Sequence, residues 1–139
     1  MTKFQLDVDY DYDFDLVGIS SHARDYRLCW ALNQKLGLQL AKKKEDLDNK
    51  PKKQSEFSIH SLYEYYHEED HVEYQLLENR SGNSLIIPEY KQADYLLLLR
   101  NNHAVNTEQM IASIREIELV LTAYRIDVPT LKSKENLIF

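Results

Sequence analysis

The chain has 139 residues, of which 43% are hydrophobic and 29% are charged, and its formal net charge is −6 at pH 7. This composition is typical of one soluble globular domain over residues 1–139, and the acidic balance argues against nucleic-acid binding, which depends largely on neutralising phosphates. One cysteine, Cys29, excludes an internal disulfide, and no stretch has the length and apolarity of a membrane span. We therefore expect a cytoplasmic protein that does not enter a membrane.

Residues 4–16 alternate between apolar and mostly acidic side chains, which predicts an extended strand with one buried and one solvent-facing side. Five odd positions of this stretch are aspartates: Asp7, Asp9, Asp11, Asp13 and Asp15. A calcium-binding loop would also need a glutamate at its twelfth position, and counting from these aspartates gives none. We expect a solvated face that resists edge-to-edge pairing; the alternative is a negative stripe that attracts a basic partner protein.

A helix is predicted over residues 22–36, with Ser20 or Ser21 as its cap and Gly37 as its terminator. Helical spacing places several side chains on one face together with Cys29, and this face is expected to be buried: Tyr26, Trp30, Asn33 and Leu36. A lysine-rich connection follows at about residues 42–54.

Four further strands are predicted before the last helix. Segments 57–66 and 71–80 alternate in polarity and flank a polar turn at 67–70. Residues 85–87 form a short strand that Pro88 ends, and residues 94–99 read as a strand buried on both faces. Tyr95, Leu97 and Leu99 should point to one face, and Leu96 and Leu98 to the other.

The last predicted helix begins at Asn106, whose side chain can cap it, and carries one apolar stripe: Met110, Ile114, Ile117, Leu121 and Tyr124. The tail 131–139 ends in apolar residues and is expected to pack on the domain. The order β-α-β-β-β-β-α indicates an α+β fold, in which two helices pack on an antiparallel sheet of about four or five strands.

The string HEEDH at residues 67–71 suggests a zinc-dependent hydrolase, in which His67 and His71 would bind the metal and Glu68 would act on its water. That chemistry needs a helix, whereas the alternating flanks predict a hairpin turn. No glycine-rich phosphate loop, CxxC pair or GxSxG motif is present in the sequence. We therefore expect no cofactor and no catalytic residues.

The stretch IPEYKQADY, residues 87–95, resembles the signature of the bacterial IPExxxVDY family: Ile87, Pro88, Glu89, Asp94 and Tyr95 match it, and Ala93 stands where valine is expected. The block 25–33 is similar to a helix of that family through Asp25, Tyr26, Arg27, Trp30 and Asn33. This resemblance implies a stand-alone single-domain protein and implies no activity. From the residues themselves, we expect a structural corner in which Arg24 or Arg27 pairs with Asp94.

The favoured hypothesis is a non-enzymatic protein-interaction or assembly module that forms a homodimer or binds another protein. Tyrosines are enriched at contact surfaces, so the candidate partner surface consists of the five aspartates together with Tyr63 and Tyr65. The zinc hydrolase is one alternative. A structured-RNA-binding domain is another, because a helix, three strands and a helix occur in that order in double-stranded RNA-binding domains.

Overall fold

A computed structural model describes residues 13–43, 47–49 and 58–139. The strands in these ranges are β1 (Phe14–Ser20), β2 (Ala41–Lys42), β3 (Leu47–Asn49), β4 (Ser58–His60), β5 (Leu62–His67), β6 (Val72–Glu78), β7 (Arg80–Ser81), β8 (Ser84–Leu85), β9 (Tyr95–Arg100) and β10 (Thr122–Ile126). The helices are α1 (Asp25–Leu36) and α2 (Thr107–Arg115), with short 3-10 helices at Pro88–Tyr90, Val128–Thr130 and Lys134–Leu137. Neither α-helix has the length and apolarity that crossing a membrane requires.

Six strands form the main sheet in the order β10-β1-β9-β6-β5-β2, and every neighbouring pair is antiparallel. The predicted α+β class is therefore confirmed, with one or two strands more than expected. The predicted lysine-rich connection at 42–54 is not a plain linker, because it contains Lys42 of β2 and the whole of β3. Strand β3 pairs with β4, which offers it a free backbone edge.

Strand β9 lies inside the sheet and is buried on both faces, as its leucine run predicts. Leu96, Leu97, Leu98 and Leu99 are all 0% exposed. Tyr95, Leu97 and Leu99 belong to the core cluster that the two helices cover, whereas Leu96 and Leu98 belong to a second cluster. The second cluster is covered by residues 86–93 and by the C-terminal tail, in which Leu131 and Leu137 are buried. The predicted packing of the tail is thus confirmed.

Helix α1 begins at Asp25, later than predicted, and neither predicted serine caps it. Ser20 is the last residue of β1, and its hydroxyl donates to the Gln92 carbonyl at 2.6 Å. The Ser21 hydroxyl donates to the Leu119 carbonyl at 2.7 Å and accepts from the Ala23 amide at 3.1 Å, two residues before the helix. The helix ends as predicted at Gly37, which has a left-handed φ of 69°.

The predicted buried face of α1 is wrong for its two large aromatic residues. The side chains that pack on the sheet are Leu28, Cys29, Ala31 and Leu32. Tyr26 and Trp30 are 60% and 65% exposed. Helical spacing correctly relates residues four apart, but it does not determine which side of a helix faces the core.

The last helix is shorter than predicted. Helix α2 is capped by the Asn106 side chain as expected, and it ends at Arg115. Leu121 is 64% exposed, and Tyr124 lies in β10 rather than on the helix. Residues 122–126 are rich in β-branched and aromatic side chains, and they pair with β1, whose edge would otherwise be unsatisfied.

Candidate functional site

The HEEDH string lies on the tip of the β5–β6 hairpin. His67 pairs with Val72 at the end of the ladder, and His71 has a left-handed φ of 59°. The His67 ring lies 3.5 Å from a carboxylate oxygen of Asp70, and the His71 Nδ1 lies 2.8 Å from the Tyr66 hydroxyl. The predicted turn is therefore confirmed, and the helix required by the zinc-hydrolase alternative, in which Glu68 would assist the metal, is not formed.

The aspartate row is only partly described by the structure. Asp7, Asp9 and Asp11 lie outside the described residues, and Asp13 is exposed. Asp15 was predicted to face solvent but is half-buried, because α2 begins beside it: its carboxylate accepts hydrogen bonds from Arg125 at 2.6 Å and from Asn102 and Thr107 at 2.9 Å each. Asp15 therefore joins β1 to β10 and to the start of α2.

Of the tyrosines on the β5–β6 hairpin, Tyr63 and Tyr74 are buried and Tyr66 is exposed. Tyr63 is 6% exposed, and burial raises the pKa of its hydroxyl, with the nearby Asp25 carboxylate adding to the effect. Tyr65 is half-buried and stacks on Tyr74 with 6.0 Å between the ring centroids. Tyr63 is therefore not available to a partner protein, and the predicted surface at this hairpin needs correction.

The signature segment 87–95 folds around Asn79, a residue that no sequence pattern indicated. Asn79 is 0% exposed. Its side-chain oxygen accepts from the Ile87 amide at 2.8 Å, and its side-chain nitrogen donates to the carbonyls of Ala93 at 2.7 Å and Tyr90 at 3.2 Å. One amide side chain thus satisfies backbone groups at both ends of the corner.

Glu89, the signature glutamate, binds the C-terminal tail. Its carboxylate accepts from the Ser133 amide at 2.9 Å, from the Ser133 hydroxyl at 2.5 Å and from the Lys132 amide. Burial alone would raise the pKa of Glu89, but these hydrogen bonds outweigh it and lower the pKa to about 2. Pro88 begins the 3-10 turn that carries this glutamate.

Asp94 does not pair with Arg24 or Arg27 as predicted. Its carboxylate accepts from the Ser21 amide at 2.9 Å and lies 3.8 Å from the Arg80 guanidinium. Arg24 immediately precedes α1 and Arg27 lies in its first turn, but the Asp94 carboxylate is bound by the backbone of the segment before the helix. The Tyr95 hydroxyl donates to a carbonyl of the same segment, that of Ala23, at 2.6 Å.

The end of α1 is held by Asn33 beside the buried thiol. The Asn33 side chain donates to the Leu40 carbonyl at 3.1 Å and accepts from the Leu40 amide at 2.9 Å. Burial, helped by Asp25, raises the pKa of Cys29 to about 11. The Cys29 thiol is therefore protonated near neutral pH and is a poor nucleophile.

A polar cleft of about 570 Å³ lies on the tail-covered face, beside Phe14. Arg100 crosses it, donating to Gln75 at 2.6 Å and to the Leu137 carbonyl at 2.7 Å, with its guanidinium 4.6 Å from the centre of the Phe14 ring. Gln75 in turn donates to Glu64 at 2.8 Å. These side chains bind one another across β5, β6 and β9. Their hydrogen bonds therefore connect the three strands rather than remaining available to a ligand.

A depression with apolar character runs along the exposed side of α1. We call this depression of about 610 Å³ the α1 groove; its lining residues are Tyr26, Arg27, Trp30, Ala31, Ile117, Glu118 and Leu119. The hydrogen bond from Ser21 to the Leu119 carbonyl, and that from the Leu121 amide to the Ser20 carbonyl at 2.8 Å, hold its second wall beside the start of α1. Helix α1 and the turn at residues 117–119 thus form the two walls of the groove, and the aromatic side chains lie on the helix wall.

Comparisons of the chain with protein-family models, with curated proteins and with solved structures find no match. Function is therefore inferred from the residues and their geometry. The candidate site with the clearest functional meaning is the α1 groove, because Glu89 and Asp94 of the signature corner and both histidines of the hairpin tip are engaged within the fold.

Proposed function

We propose that this protein is a non-enzymatic protein-interaction module that binds a protein partner through the α1 groove. The observation that carries the proposal is the exposure of Trp30 and Tyr26, at 65% and 60%, on successive turns of one helix. Burying a large aromatic side chain removes about 150–250 Å² of surface from water, which favours association strongly. Tryptophan and tyrosine are also enriched among the residues that dominate interface energies.

A non-enzymatic role is supported by the state of the candidate reactive groups. The Cys29 thiol is buried with a raised pKa, and the Glu89 carboxylate is occupied by the tail. His60 is buried, with its two ring nitrogens bonded to Glu78 and Ser84. The His60 imidazole lies beside the Ser84 hydroxyl, but His60 is 0% exposed, so a substrate cannot reach its ring.

We also propose that the chain belongs to the IPExxxVDY family and acts in the cytoplasm. The family proposal is supported by the part that the matched residues play in one corner: Ile87 is buried, and Glu89, Asp94 and Tyr95 each bind a distant segment. The cytoplasmic location is supported by a free, buried cysteine, which suits a reducing compartment.

The proposal is tested by photo-crosslinking in cells of the source organism. A benzophenone amino acid replaces Gln34, which is exposed one turn after Trp30, and the matched control carries it at Gln109, which is exposed on α2. We expect protein adducts from position 34 that disappear when Trp30→Ser is added, and none of these adducts from position 109. Mass spectrometry identifies the adduct.

Two results would contradict the proposal: no adduct from position 34, or adducts that persist unchanged with Trp30→Ser. Because Trp30 is mostly exposed, its replacement should leave the fold intact, and circular dichroism of the purified variant checks this.

A further inference from the structure

We infer that the occupant of the α1 groove is a second copy of this chain, so that the protein forms a two-fold symmetric dimer. This inference rests on the proposed function, because it names the partner of the same groove. It depends on two features of that surface, its shape and the placement of its charges.

The first feature is that a protrusion and a depression lie side by side on one face. Trp30 stands on the α1 wall with 65% of its surface exposed, and the groove lies between this wall and residues 117–119. In a two-fold interface, residue i of one copy contacts residue j of the other, and the reverse contact occurs at the same time. Because one face carries both Trp30 and the groove, each copy can insert its Trp30 ring into the groove of the other.

The second feature is that the two walls of the groove carry opposite charges. The α1 wall presents Arg27, and the opposite wall presents Glu118. Farther along the two walls, Lys35 already pairs with Glu116 at 2.7 Å within the chain. Among the described residues, Arg27 and Glu118 have no side-chain hydrogen bond or ion pair, so both are available to a partner.

A second copy related by a two-fold axis would meet these charges with their complements. Arg27 of each copy would face Glu118 of the other, which gives two equivalent pairs around the buried aromatic rings. Charges at the rim of an interface determine orientation and partner choice more than affinity. The same charges make each copy a selective partner for its own kind.

The test uses the purified full chain and sedimentation velocity from low to high micromolar concentration. We expect a monomer–dimer equilibrium for the natural chain. Trp30→Ser should weaken dimerisation about tenfold or more, as expected for a central aromatic residue. Arg27→Glu and Glu118→Arg should each be monomeric, since each places like charges together twice. Lys91→Glu, an exposed change distant in sequence from both groove walls, is the control and should dimerise normally.

The decisive arm mixes the two charge variants. Arg27→Glu and Glu118→Arg should form a heterodimer in equal mixture, because both cross-interface pairs are then attractive, although each variant alone is monomeric. Such a rescue requires the charges to meet between chains. A natural chain that stays monomeric, a dimer that ignores Trp30→Ser, or a mixture that stays monomeric would each overturn the inference.

Failure of the dimer and failure of the proposed function give different results. If the purified chain is monomeric while position 34 crosslinks to a different protein in a Trp30-dependent way, the inference is wrong and the interaction module stands. If the purified chain is monomeric and position 34 forms no adduct, both are wrong.

Discussion

The Glu89 carboxylate accepts hydrogen bonds from both the amide and the hydroxyl of Ser133, at 2.9 and 2.5 Å, although 44 positions separate the two residues. These bonds join the 3-10 turn of the signature segment to the C-terminal tail. Both segments cover the same sheet face, so Glu89 connects the two halves of the layer that lies opposite the helices.

Replacing Glu89 by glutamine should loosen the tail. The carboxylate, with its pKa lowered to about 2, contributes stability that is present above the ordinary value of 4.5 and is lost as the pH falls towards the folded value. Because Glu89 is exposed and screened by solvent, we expect a loss of about 1 kcal/mol at neutral pH, which shrinks towards pH 2.

Hydrogen exchange of the Lys132 and Ser133 amides and urea denaturation measure this effect. Glu135→Gln, an exposed change in the same tail, is the control and should alter neither quantity. Unchanged exchange of the two amides in Glu89→Gln would show that the carboxylate does not hold the tail.

Asn79→Asp should destabilise the whole domain. The replacement keeps the shape of the side chain but removes the donors to Ala93 and Tyr90, and it places a carboxylate where the side chain is 0% exposed. We expect a loss of roughly 2–4 kcal/mol in the free energy of unfolding at neutral pH. Asn83→Asp in the exposed β7–β8 turn is the matched control, and equal effects of the two changes in urea denaturation would contradict the role of Asn79.

His60 should make stability fall in mild acid. Its Nδ1 donates to the Glu78 carbonyl at 2.8 Å, and its Nε2 lies 3.1 Å from the Ser84 hydroxyl, from which it accepts in the neutral form. Burial lowers the pKa of His60 below 6.5, and the opposing influence of Glu78 is smaller. As the pH falls below 6.5, the unfolded chain binds a proton that the folded chain excludes, so the free energy of unfolding decreases by at most about 1.4 kcal/mol per pH unit.

Urea denaturation between pH 7.5 and pH 5 measures this slope. We expect His60→Gln to be less stable at every pH but to show a flatter profile, and His103→Gln, at an exposed position, to keep the natural slope. An unchanged slope in His60→Gln would assign the pH dependence to other groups.

Gly18→Ala should be destabilising because of the ring opposite it. Gly18 pairs with Tyr124 across β1 and β10, and an added Cβ would lie 2.7 Å from Tyr124 Cε1 and 3.0 Å from Ile126 Cδ1. We expect a loss of about 1–3 kcal/mol from this overpacking. A double-mutant cycle with Tyr124→Ala tests the cause by thermal denaturation: the alanine should cost clearly less without the ring, and an equal cost in both backgrounds would point to the backbone instead.

The sequence predicts those parts of the fold that depend on local pattern. The leucine run of β9 indicated burial on both faces, and the alternating segments around HEEDH indicated a hairpin, because periodicity reports directly on exposure along one element. The helical stripe failed beyond Arg115: Ile117 lies in the turn that follows α2, and the backbone of Leu121 and Tyr124 bonds to β1 although their spacing from Ile117 is helical.

The candidate site depends on relationships that no local pattern contains. The spacing of Trp30 in the sequence indicated a buried position on α1. In the structure, Leu28 and Leu32 pack on the sheet instead, and Trp30 is exposed. The partner of Glu89 lies in the tail, and the partner of Asp94 is a backbone amide rather than an arginine. Such pairings are decided by tertiary packing, which a single sequence leaves open.

The placement of β1 has a consequence for how the chain is made. Leu16 of β1 pairs with Leu98 of β9 on one side and with Ile126 of β10 on the other. The first described strand therefore completes its pairing only when the last strand is present. During translation, the β5–β6 hairpin can close soon after it leaves the ribosome, whereas β1 has no neighbouring strand until β9 has emerged and gains its second neighbour only with β10. The nascent polypeptide therefore carries β1 as an unpaired apolar segment while residues 21–94 are made, and this interval is when chaperone protection matters most.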